Sequence, residues 1–476
     1  MTATTTDSRD RYYQTTTLCP HCERLLDGEV QADARGVFIR RTCPDHGLLE
    51  GLVCSDVAWW EGLGRFDVAP SRPAQSRTAG DRGCPDDCGL CPAHRQIAGT
   101  TAIEISNRCN AGCPVCIADN QETFELSVEE VVQIVDRAGS EQGGLDVVTL
   151  SGGEPTIHPH FFELLDALVD RPGVGRVVVN TNGIRIAAEE SFADRLARYP
   201  VYVSLHYDGP AAAQLRGTGF DVQERALTRL CERGIDAVPL VLAVGGVNDV
   251  HLGELTVELL TRGPQIKSII LSLMAYAGHG GEQLPFDPMT RLTIPAALEH
   301  LEEGAGGAIR KGDFMPLTMP NPMCAAVGYF LVDENGALPL IRAAGLERAI
   351  EATKNAHFAR ADEQYEAFFR GTLERVYAHP ELFDDGAAVL ARLKRFVSRV
   401  FPADRPLSAQ ERARVTEESV KTVYLMQFMD GWTFDTRRLS KCSCQHLFAD
   451  GHRIPSCGYY AYHRKRDPRF SAVNSR

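Results

Sequence analysis

The segment EISNRCNAGCPVCIADN, residues 104–120, places three cysteines in a C-x3-C-x2-C spacing directly after a short apolar run. Cys109, Cys113 and Cys116 stand too close together in sequence for ordinary disulfides. Gly112 and Pro114 favour an irregular loop, in which three thiolates can converge on one metal cluster. Three thiolates hold three irons of a four-iron cubane and leave the fourth iron without a protein ligand. The segment therefore predicts an open iron–sulfur site.

The composition of the chain narrows its class and its cellular location. The 476 residues carry a formal net charge of -13, which argues against a nucleic-acid binder held by phosphate contacts. The N-terminus has no apolar signal region, and no stretch reaches the roughly 18 apolar residues that span a bilayer. We therefore expect a cytoplasmic protein. In a reducing compartment, its 15 cysteines indicate metal or redox chemistry rather than disulfides.

The N-terminal cysteines predict a second metal site. The motifs LCPHC and RTCPDHG contain Cys19, Cys22, Cys43 and His46, and the strand-like VFIRRT lies between them. Two such knuckles about twenty residues apart are typical of a zinc ribbon or a rubredoxin-like iron site. Cys54 is an alternative to His46 as the fourth ligand. A closed tetrahedral site has no open position for chemistry, so we expect a structural role.

A further cysteine loop, GCPDDCGLCPAH, repeats the C-x3-C-x2-C spacing before residue 100. Cys84, Cys88 and Cys91 predict an auxiliary iron–sulfur cluster, with His94 as one candidate for the remaining ligand. Another zinc knuckle is the alternative.

The last cysteines are spread over the C-terminal third: Cys324, Cys442, Cys444 and Cys457. They could complete another cluster, lend a ligand to the second loop, or be partly buried single thiols. Cys231 stands alone and is predicted to be a packed core thiol.

After the central cysteine loop, six apolar runs alternate with helical patterns. These runs are TAIEIS, LDVVTLS, GRVVVNT, VYVSLH, AVPLVLAV and IKSIILSLM. The rhythm predicts an α/β fold with a parallel, partial six-stranded βα barrel, whose chemistry lies at the carboxyl ends of the strands. We divide the chain into a metal ribbon (12–64), an auxiliary iron–sulfur loop (80–98), the barrel (99–310) and a C-terminal helical region with cluster-binding cysteines (311–476).

Polar motifs follow the second and third predicted strands. SGGEP supplies Gly152 and Gly153, which permit close backbone approach, and Glu154, a carboxylate acceptor. NTNG supplies Asn180, Thr181 and Asn182 at the same edge. Their placement at successive strand ends predicts one shared site.

The combination of CNAGCPVC and SGGEP resembles the radical S-adenosylmethionine (radical SAM) superfamily. The resemblance implies that Cys109, Cys113 and Cys116 hold a 4Fe-4S cluster whose open iron binds SAM. It implies that Gly152, Gly153 and Glu154 meet the SAM amino group, and that Arg216 meets its carboxylate. It further implies ribose or carboxylate contacts from Asn182 and Ser204, and an adenine contact near Asn248 in VGGVND.

The ordered motifs along almost the whole chain are similar to the branch that contains the archaeal tetraether lipid synthase and a dihydropterin methylase with a folate-type carbon donor. This narrower resemblance implies hydrogen abstraction from an unactivated C–H bond, followed by alkyl coupling of lipid chains or methylation of a small molecule. It implies one or two auxiliary 4Fe-4S clusters, a mononuclear iron or zinc in the ribbon, and a reductant such as ferredoxin or flavodoxin.

The chain departs from that branch at SLHYDG and LMAYAGHGG, so its substrate could differ. His206, Tyr207, Tyr276 and His279 are the residues predicted to face it.

Three alternatives remain at this point. A peptide-modifying oxidoreductase or maturase of the SPASM type would also carry auxiliary clusters near its C-terminus. A zinc-binding scaffold would be colourless, with every cysteine set a zinc knuckle. The basic amphipathic helix predicted over 386–401 either lies on an anionic membrane surface or packs on the barrel with a solvated basic face.

Overall fold

Two sheets organise the computed structural model, which describes residues 12–118, 124–278, 280–281, 284, 286–356 and 363–467. His279 therefore lies outside the described residues. The N-terminal sheet is antiparallel, in the order β1 (Gln14–Leu18), β2 (Leu25–Asp33), β3 (Gly36–Cys43) and β4 (Gly47–Cys54). A short helix, α1 (Val57–Gly62), follows it.

The larger sheet is built on six parallel strands that neighbour one another in sequence order. These are β5 (Thr100–Ser106), β6 (Leu145–Gly152), β7 (Val174–Thr181), β8 (Tyr202–His206), β9 (Asp236–Ala243) and β10 (Ser268–Leu273). All six predicted strands are confirmed.

Helices connect these strands and cover one face of the sheet. They are α2 (Val128–Gln142), α3 (Phe161–Leu168), α4 (Ile184–Ala188), α5 (Glu190–Leu196), α6 (Ala212–Arg216), α7 (Phe220–Glu232), α8 (Leu252–Thr261) and α9 (Ile294–Gly304). Helix α2 shows how the sequence sets a boundary, because Ser127 and Glu130 form a reciprocal capping box at its start.

Alternation along the strands decides which side chains enter the core. Ile103, Val179 and Leu205 are buried in the cluster that the helices also line. Successive strand residues point to opposite faces, so their neighbours face the barrel interior. This second face carries the polar residues Asn180 and His206.

The C-terminal region contains the predicted helices: α10 (Leu340–Ala344), α11 (Leu346–Ala352), α12 (Glu363–Ala378), α13 (Gly386–Val400), α14 (Ala409–Ser419), α15 (Thr436–Leu439) and α16 (Ser456–Gly458). It also contributes strands that the sequence analysis did not predict: β11 (Phe314–Pro316), β12 (Ala325–Asp333), β13 (Gly336–Pro339), β14 (Val420–Gln427), β15 (Cys444–Leu447) and β16 (Arg453–Pro455).

Two of these strands extend the barrel at its opposite edges. Strand β14 pairs in parallel with β10, and β15 pairs in parallel with β5. Cys444, the first residue of β15, is thereby placed opposite Thr100 in the strand that leads into the central cysteine loop.

Helix α13 is the predicted basic amphipathic helix, and it packs on the protein. Its apolar residues Val389, Leu393 and Phe396 are buried in a cluster with Leu331 and Phe369. That apolar face is therefore not free to enter a membrane surface, and the packing alternative holds. Within the described part of the chain, none of the helices is both long and apolar enough to cross a membrane.

Candidate functional site

The N-terminal ribbon forms a compact group of four potential metal ligands. The ligand atoms of Cys19, Cys22, Cys43 and His46 all lie within 4.8 Å of one another. Cys54 is not in this group, because its thiol lies 3.2 Å from the carbonyl oxygen of Asp56. Three thiols and one imidazole at this spacing suit a tetrahedral zinc ion.

The local fold brings these ligands together through two tight turns. Cys19 follows β1, and Cys43 ends β3 just before the turn that carries His46. Burial acts to raise the pKa of Cys43, but hydrogen bonds from His46 and from nearby backbone N–H groups outweigh it and lower that pKa to about 6. Cys43 is thus poised as a thiolate, the form that binds metal.

The central cysteine loop leaves the carboxyl end of β5. Burial raises the pKa of Cys109 to about 11 and that of Cys113 above its usual value, while the charge of Arg216 lowers the pKa of Cys113. A Cβ atom on Gly278 would lie 2.6 Å from the carbonyl oxygen of Cys116, so the segment after β10 packs directly on this loop. Three partly buried thiols beside a guanidinium fit an anionic iron–sulfur cluster.

The glycine pair after β6 joins that strand to the base of the cysteine loop. Gly153 donates its backbone N–H to the carbonyl oxygen of Ser106 at 2.8 Å, and the backbone N–H of Glu154 donates to that of Arg108 at 2.8 Å. A Cβ atom on Gly152 would overlap the carbonyl oxygen of Ser106, and one on Gly153 would overlap that of Arg108. Gly152 also has a φ of +121°, which favours glycine. Both glycines are therefore needed for the two backbones to meet.

Glu154 ties the ends of β6 and β7 together. Its side chain is only 1% exposed. One carboxylate oxygen accepts from the Thr156 backbone at 3.0 Å and from the hydroxyls of Thr156 and Thr181, both at 2.6 Å. The other accepts from the Asn182 backbone at 2.7 Å. Burial raises the pKa of Glu154 despite these donors. Its contact with the SAM amino group remains a prediction.

Arg216 lies beside the cysteine loop but is paired with Asp208. Its Nε donates to Asp208 at 2.8 Å, and Asp208 also accepts from the Leu242 backbone at 2.7 Å. Because both charges are buried, the pair is held firmly, and the positive end still acts on Cys113 and Cys116. The contact of Arg216 with the SAM carboxylate stays a prediction.

Three further predicted SAM contacts lie at the same edge. Asn182 donates to Asn110 in the cysteine loop at 2.8 Å. Asn248 bridges the end of β9, accepting from the Val244 backbone at 2.9 Å and donating to the Leu242 carbonyl at 2.8 Å. Ser204 is buried on β8. These residues stay predictions as ligand contacts.

The residues predicted to face the substrate separate into two directions. His206 faces the barrel interior, where its Nδ1 is buried without a hydrogen-bond partner among the described residues, as is Oδ1 of Asn180. Tyr207 is 0% exposed and donates its hydroxyl to Glu224 at 2.5 Å on the helix side. The prediction that Tyr207 faces the substrate is therefore wrong, because adjacent strand residues point to opposite faces.

The segment after β10 contains Tyr276, whose predicted contact with the substrate stays a prediction. Asp430 and Arg291, which the sequence analysis did not name, anchor this segment. Tyr276 stacks on Phe286 with ring centroids 3.4 Å apart, and its backbone N–H donates to Asp430 at 2.9 Å. Arg291 pairs with the same carboxylate at 2.7 Å. Asp430 follows β14, and a polar DG pair after an apolar run was the only signal for it.

The second cysteine loop and the C-terminal cysteines share one neighbourhood. The pKa of Cys88 is raised well above its usual value. The causes are its hydrogen bond with Cys84, its burial, and the nearby thiols of Cys84, Cys91 and Cys442. Burial also raises the pKa of Cys442, and the nearby thiols of Cys457, Cys444 and Cys324 act in the same direction. Cys442 therefore lies near both groups of thiols.

Three other polar or thiol side chains lie in the same neighbourhood as these two cysteine groups: His94, Cys444 and Arg438. His94 contacts Gln445 at 2.9 Å, and burial lowers its pKa to about 4. Cys444 accepts a hydrogen bond from Ser456 at 3.2 Å. Arg438 is buried among the thiols with Nε and Nη1 lacking partners in the described structure. An orphaned cation among thiols fits an anionic cluster there.

Comparison with known proteins agrees with this geometry. Residues 103–258 match the radical SAM superfamily, and residues 11–55 match the HMPTM N-terminal zinc ribbon domain. The chain is 24% identical over 95% of its length to the 7,8-dihydro-6-hydroxymethylpterin dimethyltransferase of Methanocaldococcus jannaschii, covering 94% of that protein.

Other similarities are restricted to part of the chain. The mycofactocin maturase MftC of Mycobacterium tuberculosis is 35% identical over 32% of this chain and 39% of its own length. The structure of SuiB from Streptococcus suis bound to S-adenosylmethionine is 18% identical, covers 44% of this chain and 46% of that chain, and has a TM-score of 0.36. The radical SAM domain implies a 4Fe-4S cluster that binds SAM. The chain therefore contains a radical SAM domain and an N-terminal zinc ribbon of the HMPTM type.

Proposed function

We propose that this enzyme methylates a small polar heterocycle of the dihydropterin class by forming a carbon–carbon bond. One observation carries the proposal. The barrel interior holds two buried polar atoms that have no hydrogen-bond partner among the described residues. They are Oδ1 of Asn180, an acceptor, and Nδ1 of His206, which accepts when the proton of the neutral ring is on Nε2. A buried acceptor left unpaired costs about 1–3 kcal/mol, so a ligand that supplies donors is favoured there.

The positions of these acceptors suit a flat, hydrogen-bonding ring. Asn180 on β7 is level with Ser204 on β8, and His206 follows two residues later on the same face. The ring N–H and amino groups of a dihydropterin can donate to such a row. An alkyl chain has no donors, so the polar interior disfavours the alternative of lipid chain coupling.

Similarity along the chain supports the same substrate class. The relative named as a dihydropterin dimethyltransferase aligns over 95% of this chain and 94% of its own length. The maturase aligns over only 32% of this chain. The full-length similarity therefore favours pterin methylation over peptide modification.

The residues around the cysteine loop prepare the site for this chemistry. When bound at Cys109, Cys113 and Cys116, the cluster and SAM supply a 5′-deoxyadenosyl radical that abstracts a hydrogen atom. The charge of Arg216 favours the thiolate form of Cys113. The segment that contains Gly278 covers the loop, which helps to exclude water from a reactive intermediate.

Substrate positioning falls to the neutral side chains of the interior. Burial lowers the pKa of His206 to about 3, and the charge of Arg216 acts in the same direction. His206 is therefore uncharged at neutral pH and acts as a hydrogen-bonding group. Asn180 and His206 together would orient the ring toward SAM.

The proposal includes the remaining cofactors and partners. The loop of Cys84, Cys88 and Cys91 and the group of Cys324, Cys442 and Cys457 would hold one or two auxiliary 4Fe-4S clusters. Ferredoxin or flavodoxin would supply electrons. The chain would divide into functional parts at 12–64, 80–98, 99–310 and 311–476.

The test compares two substrate classes on anaerobically reconstituted enzyme with SAM and a reductant. We expect 7,8-dihydro-6-hydroxymethylpterin, with a methylene donor of the folate type, to stimulate 5′-deoxyadenosine formation. The pterin should gain the mass of one CH2 unit for each hydrogen that a methyl group replaces. Acyl lipids should do neither. Stimulation by a lipid but not by the pterin would refute the proposal.

Variants connect this test to the interior acceptors. Asn180→Ala and His206→Ala should each raise the KM for the pterin about tenfold, which corresponds to about 1.4 kcal/mol. Tyr207→Phe is the matched control, because that side chain lies on the opposite face of the strand. An unchanged KM in both alanine variants would show that Asn180 and His206 do not bind the pterin.

A further inference from the structure

Arg438 is a buried cation at the centre of the C-terminal thiols. It lies in α15, and its side chain is 1% exposed. Nη2 lies 3.7 Å from the sulfur of Cys324 and donates to the Gln427 carbonyl at 3.2 Å. Nε and Nη1 have no hydrogen-bond partner in the described structure. Most of its donor capacity is therefore unused by the protein.

Two other buried arginines near the barrel have carboxylate partners. Arg216 pairs with Asp208 at 2.8 Å, and Arg291 pairs with Asp430 at 2.7 Å. Among the described residues, the Arg438 guanidinium has no such carboxylate partner: it contacts the Cys324 sulfur and the Gln427 carbonyl.

The acid closest to Arg438 in sequence is already engaged. Asp435 accepts hydrogen bonds from the hydroxyls of Tyr13 and Thr15, both at 2.6 Å. A buried guanidinium without an anionic partner is strongly unfavourable. The charge of Asp435 acts on Arg438 without an ion pair to its guanidinium, so Nε and Nη1 of Arg438 are open to a further anion.

The surrounding thiols indicate which anion this is. Cys324 and Cys457 both act on the charge of Arg438, and both also act on the thiol of Cys442. A four-iron cluster bound by thiolates is anionic, and N–H donors directed at its sulfur atoms stabilise the reduced form. Hydrogen bonds and nearby positive charge thereby raise the reduction potential of such a centre.

We propose that Arg438 donates hydrogen bonds to the sulfur atoms of an auxiliary 4Fe-4S centre held by Cys324, Cys442 and Cys457, and raises its reduction potential. The inference rests on the auxiliary centre of the proposed function. Arg438 acts as a positioning residue, because it affects the electronics of the centre and does not contact the reacting carbon.

The experiment is a redox titration followed by electron paramagnetic resonance. It uses the full chain with Cys109, Cys113 and Cys116 changed to alanine, so that only auxiliary centres give signals. In this background, Arg438→Met should shift the midpoint potential of one auxiliary signal to a more negative value. Arg438→Lys keeps the charge but has fewer directed donors, and its midpoint should fall between the two.

Arg437→Met is the matched control in the same helix. Arg437 is exposed and lies over the ring of Tyr13 at 4.1 Å, so its removal takes away the same charge without touching the thiols. We expect its midpoint to equal that of the parent protein. A shift of equal size in this control would show a general charge effect and would overturn the proposal.

Iron and sulfide analysis separates failure of this inference from failure of the proposed function. A parent protein with no iron beyond the radical SAM cluster would remove the auxiliary centre itself. An unchanged midpoint in Arg438→Met at full iron content would overturn the role of Arg438 alone. If Arg438→Met loses the auxiliary centre, the Arg438→Lys variant is the test. A midpoint potential more negative than that of the parent protein supports the proposal. An unchanged midpoint, or loss of the centre in this variant too, refutes it.

Discussion

The N-terminal ribbon and the central cysteine loop are both built from clustered cysteines, but they are assembled in different ways. The four ribbon ligands converge within 4.8 Å through turns of one small antiparallel sheet. The central loop supplies only three thiols, and it is positioned by Gly153 after β6, Arg216 after β8 and Gly278 after β10. A closed site is thus made locally, whereas the open site depends on the whole barrel.

The largest expected effect separates the two sites directly. Changing Cys109, Cys113 and Cys116 together to alanine should lower SAM cleavage by at least about 10³-fold, equivalent to about 4 kcal/mol in the barrier, because no ligands remain for the cluster. Zinc content should be unchanged. Iron, zinc and 5′-deoxyadenosine are measured on the same anaerobic preparation.

The counterpart in the ribbon is Cys22→Ala, which removes an exposed ligand. This variant should lose zinc and part of the about 10–16 kcal/mol that structural zinc contributes in zinc-finger peptides. Hydrogen exchange should rise in residues 14–54 while the barrel stays protected. Loss of SAM cleavage as large as in the triple variant would break the distinction between a structural and a catalytic centre.

A smaller effect is expected from the glycines that position the open site. Gly153→Ala should destabilise the fold by about 1–3 kcal/mol, because its Cβ would overlap the backbone of Arg108. The cysteine loop should move, and the iron bound there should decrease. Gly112→Ala is the control within the same loop, since nothing lies within 4 Å of its Cβ position. Equal iron content in both variants would contradict the close-approach argument.

The elements with short-range signals could be predicted from the sequence. Alternating apolar runs located β5 to β10, and the capping box at Ser127 and Glu130 agrees with the start of α2. The ribbon could be predicted because its ligands are spaced within a short stretch of chain. The opposite direction of Tyr207 could also have been inferred, since its neighbour His206 faces the interior.

The rest depends on contacts between distant parts of the chain. Strand β15 has only four residues and gains its place by pairing with β5, more than 300 residues earlier in sequence. Asp430 reaches the active edge only because β14 adds to β10. Nothing in the sequence around Arg438 indicates that its guanidinium lies beside Cys324. Such pairings are set by tertiary packing and leave no local pattern.

The last prediction concerns the pH dependence of the free energy of unfolding. It compares His46, exposed in the ribbon, with His206 in the barrel interior. Burial lowers the pKa of His206 to about 3, against 6.5 for an ordinary histidine. Between these values the unfolded chain binds a proton that the native protein does not, so the free energy of unfolding falls as the pH falls from 6.5 toward 3. At pH 5 the loss is about 2 kcal/mol.

His206→Gln should remove this contribution, so that its free energy of unfolding falls less between pH 7 and pH 5 than that of the wild type. Anaerobic urea unfolding at the two pH values measures the difference. Zinc loss through the ribbon affects both proteins alike, because His46 and the ribbon thiols are unchanged. His251→Gln, at an exposed position, controls for the exchange of a histidine for a glutamine as such. Identical pH dependence in the His206 variant would show that the imidazole charges freely in the folded barrel, and the neutral hydrogen-bonding role assigned to it would fail.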